Sequence, residues 1–196
     1  MIEYIKGEIK QLTPTFAVLD KAGIGFYLQI SLNTFTELQN LQECTLFVHE
    51  VIREDAYLLY GFHGSEEREA FRKLINVTGI GANTARMILS SLTVAELESC
   101  IISENIHTLK SIKGIGLKTA QRLIVELKDK VIRSGMSGGE VSPASVAGNQ
   151  VRQEALAALQ MLGFTPSQSS KAVNTVLKEF PTLPVEQLIK AALKIL

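Results

Sequence analysis

Two glycine-centred segments have the spacing most able to do chemistry. Val77-Thr78-Gly79-Ile80-Gly81-Ala82-Asn83-Thr84-Ala85 returns 35 residues later as Ile112-Lys113-Gly114-Ile115-Gly116-Leu117-Lys118-Thr119-Ala120. The pairs Gly79/Gly114, Ile80/Ile115, Gly81/Gly116, Thr84/Thr119 and Ala85/Ala120 are identical. Such glycines permit a tight turn and let a ligand approach the backbone closely. Where the turn opens a helix, the free amide N–H groups form an anion site suited to phosphate. Lys110, Lys113, Lys118 and Arg122 surround the second copy, and Arg86 follows the first. The first copy has Asn83 where the second has Lys118, so its grip relies on backbone amides. The candidate binding set is Gly79, Gly81, Asn83, Lys113, Gly114, Gly116, Lys118, Thr119 and Arg122.

A dinucleotide-binding loop explains these segments poorly. Thr84 or Thr119 stands at the third glycine position, and each loop follows a helical pattern, not a strand. A purely structural turn would account for one copy. Two copies with basic residues around them point to a pair of helix-hairpin-helix motifs, which hold the DNA backbone without reading bases.

The elements that must position these loops are legible in the periodicity. Residues 1–63 read as five or six short strands, including Phe16–Leu19, Gly25–Ile30, Thr45–Ile52 and Ala56–Phe62, with Asp20-Lys21-Ala22-Gly23 as a hairpin connection. A sheet that short needs closure, which predicts a small barrel. From Ser65, read as a helix cap, the period becomes helical through residues 64–133; Thr93–Glu96 has capping-box form. Glu66, Glu67 and Glu69 are expected on solvated helix faces. Residues 134–150 are rich in Gly and Ser and predict a flexible linker reaching roughly 20–25 Å. Residues 151–196 predict three helices, the second opened by Thr165-Pro166-Ser167-Gln168. The fold class is α+β and multidomain: barrel, tandem hairpin domain, linker, three-helix bundle.

Composition narrows the function. The chain has 196 residues, 46% hydrophobic and 20% charged, which excludes overall disorder. Its 20 basic and 20 acidic residues cancel, but unevenly. Residues 1–63 hold 4 Lys/Arg against 8 Asp/Glu, and residues 64–133 hold 11 against 8. The two regions would treat a polyanion differently. Charges interrupt every apolar run, and the first residues lack a signal-peptide layout, so a cytoplasmic protein is expected. Cys44 and Cys100 cannot build a disulfide framework or a four-cysteine metal site. His49, His63 and His107 have no metal-ligand spacing, and the three Asp residues are scattered. No phosphate-binding lysine loop for ATP is present, and no cofactor is implied. The alternative reading is a hairpin-containing repair nuclease or glycosylase, which would need carboxylates gathered around metal ions for phosphodiester cleavage.

Further segments carry a resemblance. These are Met1-Ile2 with Gly7, the run Val51-Ile52-Arg53-Glu54-Asp55-Ala56-Tyr57-Leu58-Leu59-Tyr60-Gly61-Phe62, both hairpins, Arg122 to Asp129, and the Ala155–Phe164 helix and turn. With these the chain resembles, over nearly its whole length, the RuvA family of Holliday-junction-binding subunits of bacterial branch-migration complexes. The resemblance implies an oligonucleotide-binding-type barrel, a double hairpin domain and a mobile C-terminal three-helix (UBA-like) domain. It implies a non-catalytic homotetramer, alone or as two tetramers, on an open four-way junction. It places Glu54 and Asp55 on an acidic pin between the last two barrel strands. It also implies that the C-terminal domain contacts the hexameric ATPase RuvB, with Leu159, Leu162, Gly163, Phe164 and Ala172 as the candidate surface, and that RuvC resolvase is a further partner.

Overall fold

The computed structural model describes residues 1–135, 143–180 and 182–196. The chain divides into two compact units, Met1–Ser137 and Gly138–Leu196. The first begins with β1 (Tyr4–Leu12), β2 (Phe16–Lys21) and β3 (Ile24–Gln29), then α1 (Leu32–Leu38), β4 (Glu43–Ile52) and β5 (Tyr57–Phe62). These five strands close into a barrel in the order β1-β2-β3-β5-β4. Neighbours are antiparallel except β3 and β5, which meet in parallel through Leu28↔Leu59 and Gln29↔Tyr60. Closure satisfies the ladder groups that five short strands would otherwise leave at free edges. Ile5, Ala17, Leu19, Leu28, Leu46 and Val48 fill the interior.

Local chemistry sets the turns. Ala22 and Gly23 both have positive φ, 55° and 83°, which matches the twist of a two-residue hairpin, and Gly23 N–H donates to Asp20 Oδ1 at 3.1 Å. Gly7 lies where β1 crosses close to β2: a Cβ there would overlap the Asp20 carbonyl. The helix α1 was not among the expected elements. Its signal is Ser31, the N-cap, whose hydroxyl accepts from Thr34 N–H at 3.0 Å.

The helices that follow are α2 (Ser65–Ile75), α3 (Ala82–Ser91), α4 (Val94–Ile102), α5 (Ile106–Ser111) and α6 (Leu117–Gly135). Ser65 is the first residue of α2, not its cap; Gly64 holds that position and offers no side-chain bond. Barrel and helices, expected as successive domains, form one unit because α2 is buried against both. Phe71 is fully buried, with its ring centroid 5.1 Å from Tyr60, 4.9 Å from Phe62 and 5.3 Å from His49. Arg68, also buried, pairs with Glu3 at 2.5 Å, donates to the Glu3 carbonyl at 3.0 Å and lies over the Phe47 ring at 5.3 Å.

Glu67 corrects the expectation of a solvated carboxylate. It is buried and accepts hydrogen bonds from the Ser31 hydroxyl and, at 2.6 Å, from the Thr34 hydroxyl. Thr34 Oγ1 in turn accepts from His63 N–H at 3.1 Å. One carboxyl thus joins α1, α2 and the end of β5. Burial pushes the Glu67 carboxyl above its ordinary range, and the two hydroxyl bonds partly offset this.

Helix enters the expected 134–150 linker from both sides: α6 runs to Gly135, and α7 (Pro143–Met161) begins eight residues before the expected start at Val151. Proline at a first helical position loses no hydrogen bond, which favours that start. Residues 136–142 lie outside the described residues. The second unit is completed by α8 (Pro166–Glu179) and α9 (Val185–Leu193). Its core is Ala155, Leu159, Ala172, Val173, Val176, Leu188 and Ala192. The Thr165–Gln168 capping box forms as the residues imply. Among the described residues no helix is long and apolar enough to cross a membrane.

Replacing Glu67 with Ala leaves two buried hydroxyls without their acceptor and should lower the unfolding free energy by about 2–3 kcal/mol, measured by urea denaturation. Because the folded-state pKa is raised, the contribution from Glu67 titration is complete in acid and is lost as pH rises through the raised value. The gap between wild type and variant should therefore be widest in acid and narrow toward neutrality. Equal stability at every pH would contradict the role given to this carboxyl.

Candidate nucleic-acid interface

The two glycine segments adopt the same geometry. Val77 N–H donates to Leu74 O at 3.0 Å, Ile80 N–H to Val77 O at 3.0 Å, and Ala85 N–H to Gly81 O at 2.9 Å. At the same offset Ile112 N–H donates to Leu109 O at 3.3 Å, Ile115 N–H to Ile112 O at 3.1 Å, and Ala120 N–H to Gly116 O at 2.9 Å. Gly79 and Gly114 sit at φ 93° and 92°, the left-handed region that a side chain disfavours. Val77, Ile80, Ile112 and Ile115 are buried and anchor each hairpin to the helical core. The glycines between them stay exposed.

Each hairpin hands over to a helix. Gly81 is the N-cap of α3 and has no side-chain bond to offer, so the first-turn amides of Ala82, Asn83 and Thr84 are open to a ligand. In the second copy Ala120 N–H closes the first intrahelical bond of α6 onto Gly116 O, leaving the same first-turn positions. Oriented amides at a helix N-terminus carry partial positive charge and attract phosphate.

The side chains differ between copies. Lys113, Lys118 and Arg122 are exposed, and Lys118 and Arg122, four residues apart on α6, share one face. Thr119 is half-buried, as is its counterpart Thr84. Asn83 is exposed but engaged: its Oδ1 accepts from Arg86 at 2.9 Å, while Arg86 donates to the Thr15 carbonyl of the β1–β2 loop at 2.9 Å. The Arg86 cation therefore faces the barrel.

Glu54 and Asp55 are exposed at the tip of the β4–β5 hairpin. Arg53 and Ala56 bracket them, with Arg53 N–H donating to Ala56 O at 2.8 Å and Ala56 N–H to Arg53 O at 3.4 Å. Ile52 and Tyr57, paired across the ribbon, are exposed beside the tip. Tyr57 OH donates to Glu50 Oε1 at 2.6 Å and Ile2 N–H to Glu50 Oε2 at 2.8 Å, and these bonds hold the Glu50 carboxyl below its ordinary range.

In the C-terminal unit the candidate contact residues separate. Leu159 and Ala172 are buried in the bundle core, which withdraws them as a contact surface. Phe164 is half-buried against the same core. Leu162 is 60% exposed. Gly163, at φ 98°, ends α7: its N–H donates to Gln160 O at 3.0 Å, and Phe164 N–H donates to Leu159 O at 3.2 Å. Sequence reading missed Met161, 90% exposed, and Phe180. Met161 lies two residues from Leu159, about 200° around the helix and so away from the buried face, a signal the helical period already contained.

Among the described residues no three of His, Cys, Asp and Glu gather as a metal ion would need. Burial pushes the Cys44 thiol up to about 11, which suits a packing residue better than a nucleophile.

Three family models match successive segments of the chain. The model of the RuvA N terminal domain matches residues 1–61, the SAM-like helix-hairpin-helix tandem 71–129, and the RuvA C-terminal domain 150–196. Two relatives named Holliday junction branch migration complex subunit RuvA are 54% identical: that of Bacteroides fragilis over 199 residues (99% of each chain) and that of Parabacteroides distasonis over 196 residues (100% of each). The protein of that name from Christiangramia forsetii is 44% identical over 194 residues (99% of each). With paired hairpins behind an acid-tipped barrel and relatives this similar end to end, the chain belongs to the RuvA family.

Proposed function

We propose that this chain binds four-way DNA junctions by shape, as a homotetramer, and couples them to a RuvB-type ATPase for branch migration. The observation that carries this reading is the duplicated hairpin with open first-turn amides, in one compact unit with an exposed acidic turn. The naming of its relatives as subunits of the branch migration complex supports it. Phosphates sit on the amides around Gly79, Gly81, Gly114 and Gly116, with Asn83 and Thr119 beside them and Lys113, Lys118 and Arg122 supplying charge. Such contacts fix position along a duplex without reading its sequence. The chain itself carries no reaction; the work of ATP hydrolysis belongs to the partner, and the site of action is the cytoplasm.

Glu54 and Asp55 act by exclusion. In a four-fold assembly each copy brings both carboxylates toward the axis, where they repel phosphates and one another. DNA strands are kept from the centre and directed outward along the hairpins. Arg53 beside them gives a phosphate one place to rest. In the C-terminal unit Leu162, Gly163 and Phe164, extended by Met161, form the motor contact, while buried Leu159 supports the turn that presents them. A second tetramer on the opposite DNA face, or RuvC in its place, is compatible with a ligand held only through its backbone.

Replacing Lys118 with Ala should weaken binding to any duplex arm by about tenfold. It should also reduce the slope of log affinity against log salt by about one for each phosphate that Lys118 neutralises. Gel shifts over a salt series give both quantities, and an unchanged slope would remove Lys118 from the interface. Replacing Glu54 with Gln and Asp55 with Asn together should hold or raise junction affinity. The same change should reduce unstacking at the branch point, read as the fluorescence of 2-aminopurine placed there. A large loss of affinity would show that the pin attracts the junction instead of spreading it.

A further inference from the structure

The two hairpins, alike in backbone, are anchored differently. Helix α3 is fastened at two places, to the β1–β2 loop and to α1. From its middle Arg86 donates 2.9 Å to the Thr15 carbonyl on the β1–β2 loop and 2.9 Å to Asn83 Oδ1. Near its finish Asn33, on α1, donates from Nδ2 to Leu89 O at 2.7 Å and Leu92 O at 3.0 Å, carbonyls that a helix end leaves unpaired. Between them Leu32 N–H donates to Ser90 Oγ at 3.1 Å, and the Ser90 hydroxyl donates to Arg86 O at 2.8 Å. At the 35-residue offset Gln121 stands in place of Arg86 and Lys118 in place of Asn83. In the second copy the cations, Lys118 and Arg122, face outward and α6 is tied through Lys128 to Glu104 at the α4–α5 turn. The first copy has turned its cation inward.

We propose that the hairpins divide the labour. The first is the geometric reference, held at a fixed angle to the barrel and hence to the Glu54–Asp55 turn, and the second supplies the electrostatic grip. Arg86 and Asn33 are positioning residues: they set how strongly a four-way junction is preferred over a linear duplex, not how strongly a duplex arm is held. The physical reason is that a duplex arm needs only phosphates placed against the hairpins. A junction must meet hairpins and acidic turn at once, so freedom between them is an entropy cost that the junction alone bears. This inference rests on the proposed junction binding.

The test compares wild type, Arg86→Met, Arg86→Lys and Asn33→Ala, in the full chain, binding a four-way junction and a linear duplex of the same sequence over a salt series, with circular dichroism to confirm folding. Arg86→Met should lose about tenfold in junction preference while duplex affinity stays within about twofold and the salt slope is unchanged. Arg86→Lys keeps the charge but reaches only one of the two acceptors, and it should recover part of the preference. Asn33→Ala alters no charge and should move the preference in the same direction, which keeps the test decisive if Arg86→Met fails to fold. Loss of duplex affinity and salt slope together in Arg86→Met would make Arg86 a phosphate contact and overturn the assignment. A wild-type preference that survives in both Arg86→Met and Asn33→Ala overturns this inference alone. Absence of any preference in the wild type overturns the junction reading and this inference with it.

Discussion

Both hairpins depend on one backbone constraint: a residue in the left-handed region three residues before a helix begins. Gly79 and Gly114 meet it at nearly the same φ, and no other residue type would do so without strain. The turn they allow buries Ile80 and Ile115 while leaving the next helix to open with bare amides. A serine or aspartate in place of Gly81 would cap those amides from within and compete with a phosphate for them. On the proposed phosphate binding, the bare N-cap at Gly81 therefore serves the ligand as well as the turn.

What a junction-reading protein needs beyond this is rigidity between distant parts. The chain supplies it with polar joints laid into an otherwise apolar seam. Glu67 satisfies two hydroxyls from α1, Arg68 and Phe71 bind α2 to the barrel wall, and Asn33 and Arg86 hold α3. Hydrogen bonds of fixed direction resist sliding in a way that an apolar contact does not. Acidic residues at the barrel tip and basic residues on α6 lie in one compact unit but on separate elements, so a net charge of zero is compatible with binding a polyanion.

Much of this was legible in the residues, for physical reasons that vary by element. The barrel strands announced themselves through alternation and through a hairpin turn at Ala22-Gly23, and the hairpins through glycine spacing repeated at one offset. The capping boxes at Thr93 and Thr165 are short-range patterns and formed as written. What escaped was long-range. Glu67 looks like any first-turn glutamate until Ser31 and Thr34, more than thirty residues earlier, are folded against it. Arg86 looks like one more basic residue beside the first hairpin until the β1–β2 loop arrives with its carbonyl. Leu159 looks like a contact residue because hydrophobicity alone cannot separate a bundle core from a bundle surface, whereas its fourfold spacing from Ala155 could. The helical start at Pro143 was hidden by Gly and Ser on its N-terminal side, where composition outweighed a local N1 signal.

The central claim is that shape, not base sequence and not bulk charge, selects the ligand. The most direct measurement is a competition gel shift in which labelled four-way junction is challenged with excess linear duplex of the same sequence at two salt concentrations. The account predicts that the junction complex survives a large excess of duplex and that the preference persists at the higher salt, where generic phosphate attraction has faded. Equal displacement by duplex at both concentrations would contradict it and reduce the chain to a hairpin protein of general backbone affinity.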